Sequence, residues 1–207
     1  MLFNRRQQPY AFGHLNDEII LLLHSLGISN TTLLAKQQQH LDFFASALHD
    51  ARAAFRFLTY MNHYDEAEKL LMGSLEDLQP KLRSLINTEY SKMINNRGEQ
   101  RCRILVPQSR IIFGVCDAWG VLKEGECQVR ITHDSDGQPR TLKGTEVLVT
   151  RNPCSHCGDL QKFRAVERIE LAHLIDCIVF STRGKRPAAD LMSGGDLDGD
   201  ACASTTP

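Results

Sequence analysis

From Leu15 to Met93 apolar side chains recur at intervals of three and four, the period of a helix with one buried face. Leu15, Ile19, Leu22, Leu23 and Leu26 share one such face, and Gly27 supplies a stop. Asn30 or Thr31 is placed to cap the next helix, whose stripe runs Phe44, Leu48, Ala51, Phe55 and Leu58. A third helix is predicted from Asp65 through Met72, ended by Gly73. A fourth is predicted from Lys81 to about Met93, just after Pro80. The stretch from Asn62 to Leu71 resembles part of a helical-hairpin repeat, but a solenoid needs about three copies and one is visible. It reads as an ordinary helix.

The pattern changes after the polar stretch Asn95 to Arg101. Short β-type runs follow at Arg103 to Val106, Ile111 to Cys116, Cys127 to Ile131, Glu146 to Thr150 and Cys177 to Phe180. Asp117-Ala118-Trp119-Gly120, Asp134-Ser135-Asp136-Gly137 and Asn152-Pro153 mark turns between them, and Glu170 to Ile175 has room for a helical turn or two. Many short strands separated by Gly and Pro suggest a barrel or sandwich. The expectation is an α+β protein: residues 1–100 a helical region, residues 101–207 a β-rich domain.

Composition changes this picture little. Hydrophobic residues at 42% and charged residues at 24% suit a globular chain with a core. No apolar run approaches the roughly 18 residues of a membrane span, and Met1 to Arg6 lacks the features of a secretory signal. Seven scattered cysteines do not read as a disulfide framework, which points to an intracellular, reducing compartment, nucleus or cytoplasm. The net charge of −1 gives no support by itself for nucleic-acid binding.

The candidate chemistry lies near the end of the chain. Asp196, Asp198 and Asp200 alternate within Gly194-Gly195-Asp196-Leu197-Asp198-Gly199-Asp200. Carboxylates this close repel one another unless a positive charge sits between them. A hard divalent cation is the natural counter-charge. An extended segment would place the three on one face. A turn at Gly199, with a loose approach at Gly194 and Gly195, would wrap them around one ion. An exposed acidic turn is the plainer alternative on spacing alone. A helix-loop-helix calcium site wants Gly at its sixth position and an acid at its twelfth. Counting from Asp196 these are Ala201 and Pro207, so that reading fails. The nucleophile loop of aspartate phosphatases is also a poor match, because Ser193-Gly194-Gly195 stands where a buried strand should and Asp200 follows the Gly.

Asp196-Leu197-Asp198-Gly199-Asp200, preceded by Ser193-Gly194-Gly195, resembles the Asp-x-Asp-Gly-Asp signature of the eukaryotic RNA-dependent RNA polymerases of RNA silencing. Three further stretches resemble that family in the same order. Ser109 to Asp117 with Gly120, Leu122, Gly125 and Glu126 looks like the Gly-rich lead-in to its catalytic barrel. Val149-Thr150-Arg151-Asn152-Pro153-Cys154 with His156, Gly158 and Asp159 resembles its Asn-Pro-Cys segment. His173 to Phe180, then Gly184 and Arg186-Pro187, matches the run into the acidic loop. The likeness is strongest over residues 103–200 and weaker over 15–60.

The resemblance implies a double-psi β-barrel, incomplete here, following the helical region. It implies RNA-directed RNA synthesis from nucleoside triphosphates on a single-stranded RNA template, with silencing proteins as candidate partners and no membrane. Asp196, Asp198 and Asp200 take the catalytic, metal-holding role, with Mg²⁺ or Mn²⁺ as cofactor. Arg151, Lys185 and Arg186 are candidates for nucleotide or RNA contact, weighed against plain solvated surface.

Two departures from the family stand out. After Asp200 the chain reads Ala201-Cys202-Ala203-Ser204-Thr205-Thr206-Pro207 instead of a hydrophobic strand, so the strand bracing the loop is expected to be missing and the isolated chain to be inactive. A catalytically inactive remnant or interaction fragment of such a polymerase is the alternative function, and a small metal-binding barrel unrelated to polymerases is a weaker third. Cys157 stands where proline is expected and creates Cys154-x-x-Cys157, half of a zinc site with no second half in view. Cys127 and Cys177 read as core residues, His24, His40, His49 and His63 as surface or packing residues, and Trp119 as a packing residue in a turn.

Overall fold

The computed structural model describes residues 12–94, 102, 104–133 and 137–197, and the backbone of 201–205. The chain divides into two compact units, His14–Leu105 in one and Phe12, Gly13 and the residues from Val106 onward in the other.

In the first unit β1 (His14–Leu15) leads into α1 (Asp17–Ser25), where the Asn16 side chain accepts the Ile19 N–H at 2.9 Å. Gly27, at φ 96°, adopts the left-handed conformation that ends helices. Helix α2 (Asn30–Ala47) is capped by Ser29 rather than by Asn30 or Thr31. The apolar stripe expected to run through one helix is divided between α2 and α3 (Ala51–Tyr60). Asp50 causes the break, because its carboxylate takes the N–H groups of Arg52 at 2.7 Å and Ala53 at 3.1 Å and starts a new helix. Phe44 and Phe57 then meet edge to face, ring centroids 5.5 Å apart, across the two helices.

Helix α4 (Tyr64–Met72) ends at Gly73 as predicted. Helix α5 (Leu75–Ile94) begins six residues before the expected Lys81, because Ser74 caps the Asp77 N–H and carries the helix through Pro80. A proline this near an exposed N-terminal turn removes a hydrogen bond that water can replace. The expected strand around Ile104 is β2 (Ile104–Leu105), which pairs antiparallel with β1 instead of joining the large sheet. No helix among the described residues is long and apolar enough to cross a membrane.

The second unit is built on β3 (Ser109–Cys116), β4 (Glu126–Thr132), β5 (Pro139–Thr141), β6 (Glu146–Arg151), β7 (Gln161–Ala165), β8 (Cys177–Phe180) and β9 (Ala201–Thr205). They form one sheet in the order β5-β4-β7-β6-β9-β3-β8, and β4 also pairs with β8, so the sheet curls back on itself. Alternate residues point inward: Cys127 and Val129, Val147 and Val149, Phe163 and Ala165, Ile178 and Phe180, joined by Ile112 and Met192. On the outer face Cys177 and Val179 pack against Leu122 and Leu171. Strand β8 is therefore buried on both faces, which is why it reads in the sequence as one unbroken apolar run.

Strand β9 corrects the expectation that nothing braces the acidic loop on its far side. It lies between β3 and β6, antiparallel to both, with Ala203 opposite Ile111 on one side and Thr150 on the other. A strand with hydrogen-bonding partners along both edges does not depend on large apolar side chains to form. The helical turn expected over Glu170 to Ile175 is a short 3₁₀ turn at Ile169–Leu171.

Candidate functional site

The approach to the acidic loop is a chain of tight turns anchored in the inner core. The Met192 N–H donates to Ala189 O at 2.9 Å, the Gly194 N–H to Asp190 O at 3.3 Å and the Gly195 N–H to Met192 O at 3.2 Å. Ser193, Gly194 and Leu197 stand at φ 53°, 68° and 63°, all in the left-handed region. Met192 is buried in the inner core and Leu197 packs against it. Asp196, between these two anchors, is exposed. Asp198, Gly199 and Asp200 lie outside the described residues, and the backbone resumes at Ala201 as β9.

Ser193 is gripped from three directions by the Asn-Pro-Cys segment. Its N–H donates to Asp159 Oδ1 at 3.1 Å, its hydroxyl donates to the Pro153 carbonyl at 2.6 Å, and its carbonyl accepts from Arg151 Nη1 at 3.2 Å. The other oxygen of Asp159 accepts the N–H groups of Ser155 at 3.2 Å and His156 at 3.0 Å. Burial works against charge on Asp159. The hydrogen bonds from His156, Ser193 and Ser155 outweigh it and hold the carboxyl below the usual aspartate range. One carboxylate thus joins two loops 34 residues apart in sequence.

Arg151, at the end of β6, is half-buried and holds Ser193, so it is not plain solvated surface. Arg186 is exposed and paired with Asp190 at 2.7 Å, and Lys185 is exposed. Among the described residues no three His, Cys, Asp or Glu side chains gather as a metal site. Cys154 is buried, and His156 between the two cysteines serves as a cap, its Nδ1 accepting the Gly158 N–H at 2.9 Å. His40 packs, as expected, with its ring edge-on to Phe44 at 4.3 Å and its Nδ1 accepting the Leu105 N–H at 2.8 Å. Trp119 meets His173 edge to face at 4.9 Å but remains 53% exposed.

Asp159 and Asp117 are among the carboxylates whose structural role sequence reasoning missed. Asp159 stands three residues after His156, the spacing of a capping box, and that signal was available. Asp117, buried at the end of β3, accepts the N–H groups of Trp119, Gly120 and Leu122, and only the turn-forming composition around it hinted at this.

Comparison with known proteins bears on the whole chain. Residues 5–204 match the family model described as RNA dependent RNA polymerase. RNA-dependent RNA polymerase 2 of Arabidopsis thaliana is 33% identical over 206 residues, which take in 90% of this chain and 18% of that protein. The probable RNA-dependent RNA polymerase SHL2 of Oryza sativa subsp. japonica is 35% identical, over 91% of this chain and 17% of its own length. RNA-dependent RNA polymerase 1 of Schizosaccharomyces pombe is 31% identical, over 92% and 17%. The chain therefore spans less than a fifth of the length of these relatives. Among solved structures, the RNA-dependent RNA polymerase QDE-1 from Thielavia terrestris shares the fold at a TM-score of 0.66 and 24% identity, over 95% of this chain and 25% of that one. With a family match running through nearly all of its helices and its curled sheet, the chain belongs to the RNA-dependent RNA polymerase family.

Proposed function

We propose that this chain is the segment of an RNA-dependent RNA polymerase that carries the catalytic carboxylates, and that it serves RNA-directed RNA synthesis in RNA silencing within a larger enzyme. The observation that carries the reading is the seating of the acidic loop. Met192 and Leu197 fix it to the inner core, Ser193 is clamped to the Asn-Pro-Cys segment, and Asp196 is presented to solvent between them. A catalytic constellation works when its backbone is held by packing and by a supporting shell of hydrogen bonds, and the approach to this loop has both. The curled sheet is read as the double-psi barrel of that polymerase class.

The donor chemistry fits a divalent metal. Asp196, Asp198 and Asp200 would offer hard carboxylate oxygens to Mg²⁺ or Mn²⁺, and the described donor is exposed. When bound, such an ion supplies positive charge that offsets the triphosphate and eases ionisation of the attacking 3′-hydroxyl. The chain's own residues fix where that charge sits. Of the basic candidates, Lys185 is exposed and available to phosphate, Arg186 would first have to leave Asp190, and Arg151 acts by holding Ser193. The substrates of the complete enzyme would be nucleoside triphosphates and a single-stranded RNA template, and silencing proteins its partners.

The test is a chimera in which this chain replaces the matching stretch of the Arabidopsis relative. Template-dependent nucleotide incorporation is expected to persist, and Asp198→Asn in the chimera should reduce it by at least about a hundredfold. Incorporation unchanged by Asp198→Asn would rule the reading out.

A further inference from the structure

We infer that Asp159 is a positioning residue for the acidic loop, acting through Ser193; the inference rests on the reading of that loop as a metal site. A single carboxylate accepts from Ser155 and His156 on one oxygen and from Ser193 on the other, so the Asn-Pro-Cys segment and the approach to the loop move as one piece. Ser193 is held at φ 53°, a conformation that non-glycine residues avoid and keep only where the surroundings enforce it. The Pro153 carbonyl and Arg151 complete the enforcement. Three residues further on comes Asp196, and directly after it Leu197 enters the core. With the backbone pinned at Ser193 and again at Leu197, the position of the Asp196 carboxylate follows from the Ser193 grip.

Asparagine at position 159 is nearly the same shape but has only one accepting oxygen, and its amide nitrogen cannot accept an N–H. Whichever way the amide turns, one of the two loops loses its partner. The variant therefore separates the bridge from the space it fills.

Mn²⁺ binding, followed by the paramagnetic resonance of the free ion, is measured on the parent chain and on Asp196→Asn, Asp159→Asn and Asp176→Asn. Asp176 is the control because it also ties distant elements, accepting the N–H and hydroxyl of Thr132 at 2.7 and 2.8 Å, with no bond to Ser193 among those described. Asp196→Asn is expected to weaken binding by more than tenfold and Asp159→Asn by about tenfold, while Asp176→Asn leaves it unchanged. Exchange of the Ser193 amide hydrogen should speed up in Asp159→Asn and not in Asp176→Asn. If Asp159→Asn does not fold, Ser193→Ala, which removes the hydroxyl that donates to Pro153 and also acts on Asp159, takes its place and should weaken Mn²⁺ binding by a smaller factor, parent affinity there overturning the positioning role. Parent affinity in the folded Asp159→Asn variant, with binding still lost in Asp196→Asn, overturns the positioning role alone. Parent affinity in Asp196→Asn, or no Mn²⁺ binding by the parent, overturns the metal reading and the positioning role with it.

Discussion

Replacing Asp117 with alanine removes the side-chain acceptor of three backbone N–H groups at once, of which Gly120 keeps a longer bond to the Asp117 carbonyl at 3.3 Å. The residue is 1% exposed. Its Oδ2 takes the Leu122 N–H at 2.7 Å, and its Oδ1 takes those of Gly120 at 2.9 Å and Trp119 at 3.1 Å. The Leu122 bond is buried, and stranding that donor costs about 2 kcal/mol. The other two are part-buried and can recover some hydration, so each costs about 0.5–1 kcal/mol. Together the loss is about 3–4 kcal/mol. Asp117→Asn keeps one accepting oxygen and should lose roughly half of that, about 1.5–2 kcal/mol. Trp119, the sole tryptophan of the chain, sits in this turn, so urea unfolding followed by its fluorescence reports on the unit that holds the β sheet. With a slope of about 2 kcal/mol per molar, the midpoint should fall by about 1.5–2 M for alanine and about half as much for asparagine. A shift below about 0.3 M for Asp117→Ala would show that these N–H groups find water as readily as they find the carboxylate, and the reasoning would fail.

Burial pushes the Cys127 thiol up to about 12 and the Cys177 thiol up to about 11, with the Glu126 and Asp176 carboxylates adding to it. At pH 8 a thiol reagent should label the exposed Cys116 and spare both in the folded protein, as read by peptide mass spectrometry. The unfolded chain would release these protons near the ordinary thiol value of 9.0 while the folded chain keeps them. Stability from this source is therefore whole below that pH and lost as pH rises towards 11 and 12, which a urea series across that range would measure. Asp50→Ala should destabilise the helical unit by about 1 kcal/mol through loss of the α3 cap, checked by far-ultraviolet circular dichroism in urea. Phe180→Ala should cost the β unit about 3–5 kcal/mol, since the ring is buried against Phe163 with centroids 5.2 Å apart.

Legibility in the sequence followed how much of each element's stability is local. Strand β8 and the apolar ends of β3, β4 and β6 announce themselves, because their own side chains fill the core. Strand β7 hides, since Phe163 and Ala165 point inward among Gln161, Lys162 and Arg164, and two apolar residues make too short an alternation. Strand β9 owes its place to neighbours on both edges, a property of topology that no run of Ala, Cys, Ser and Thr can declare. Of the predicted helical stripe Phe44 and Leu58 are buried, but Ala51 is exposed and Leu48 and Phe55 are half-buried, because α3 turns Ala54, Phe57 and Leu58 inward. Periodicity could not show that Asp50 would divide it, because a cap is one side chain's hydrogen bonds. At the site, the acidic loop and its upstream motifs were readable in order. That Asp159 grips Ser193 was not, since only folding brings those two residues together.

Whether the aspartate loop binds a divalent cation is decided by anomalous diffraction from a crystal of the chain grown with Mn²⁺. A strong anomalous peak is expected about 2.1 Å from an oxygen of Asp196, with Asp198 and Asp200 completing the carboxylate set. A well-ordered loop with no anomalous density at Asp196, or a peak whose ligands lie elsewhere in the chain, would contradict it.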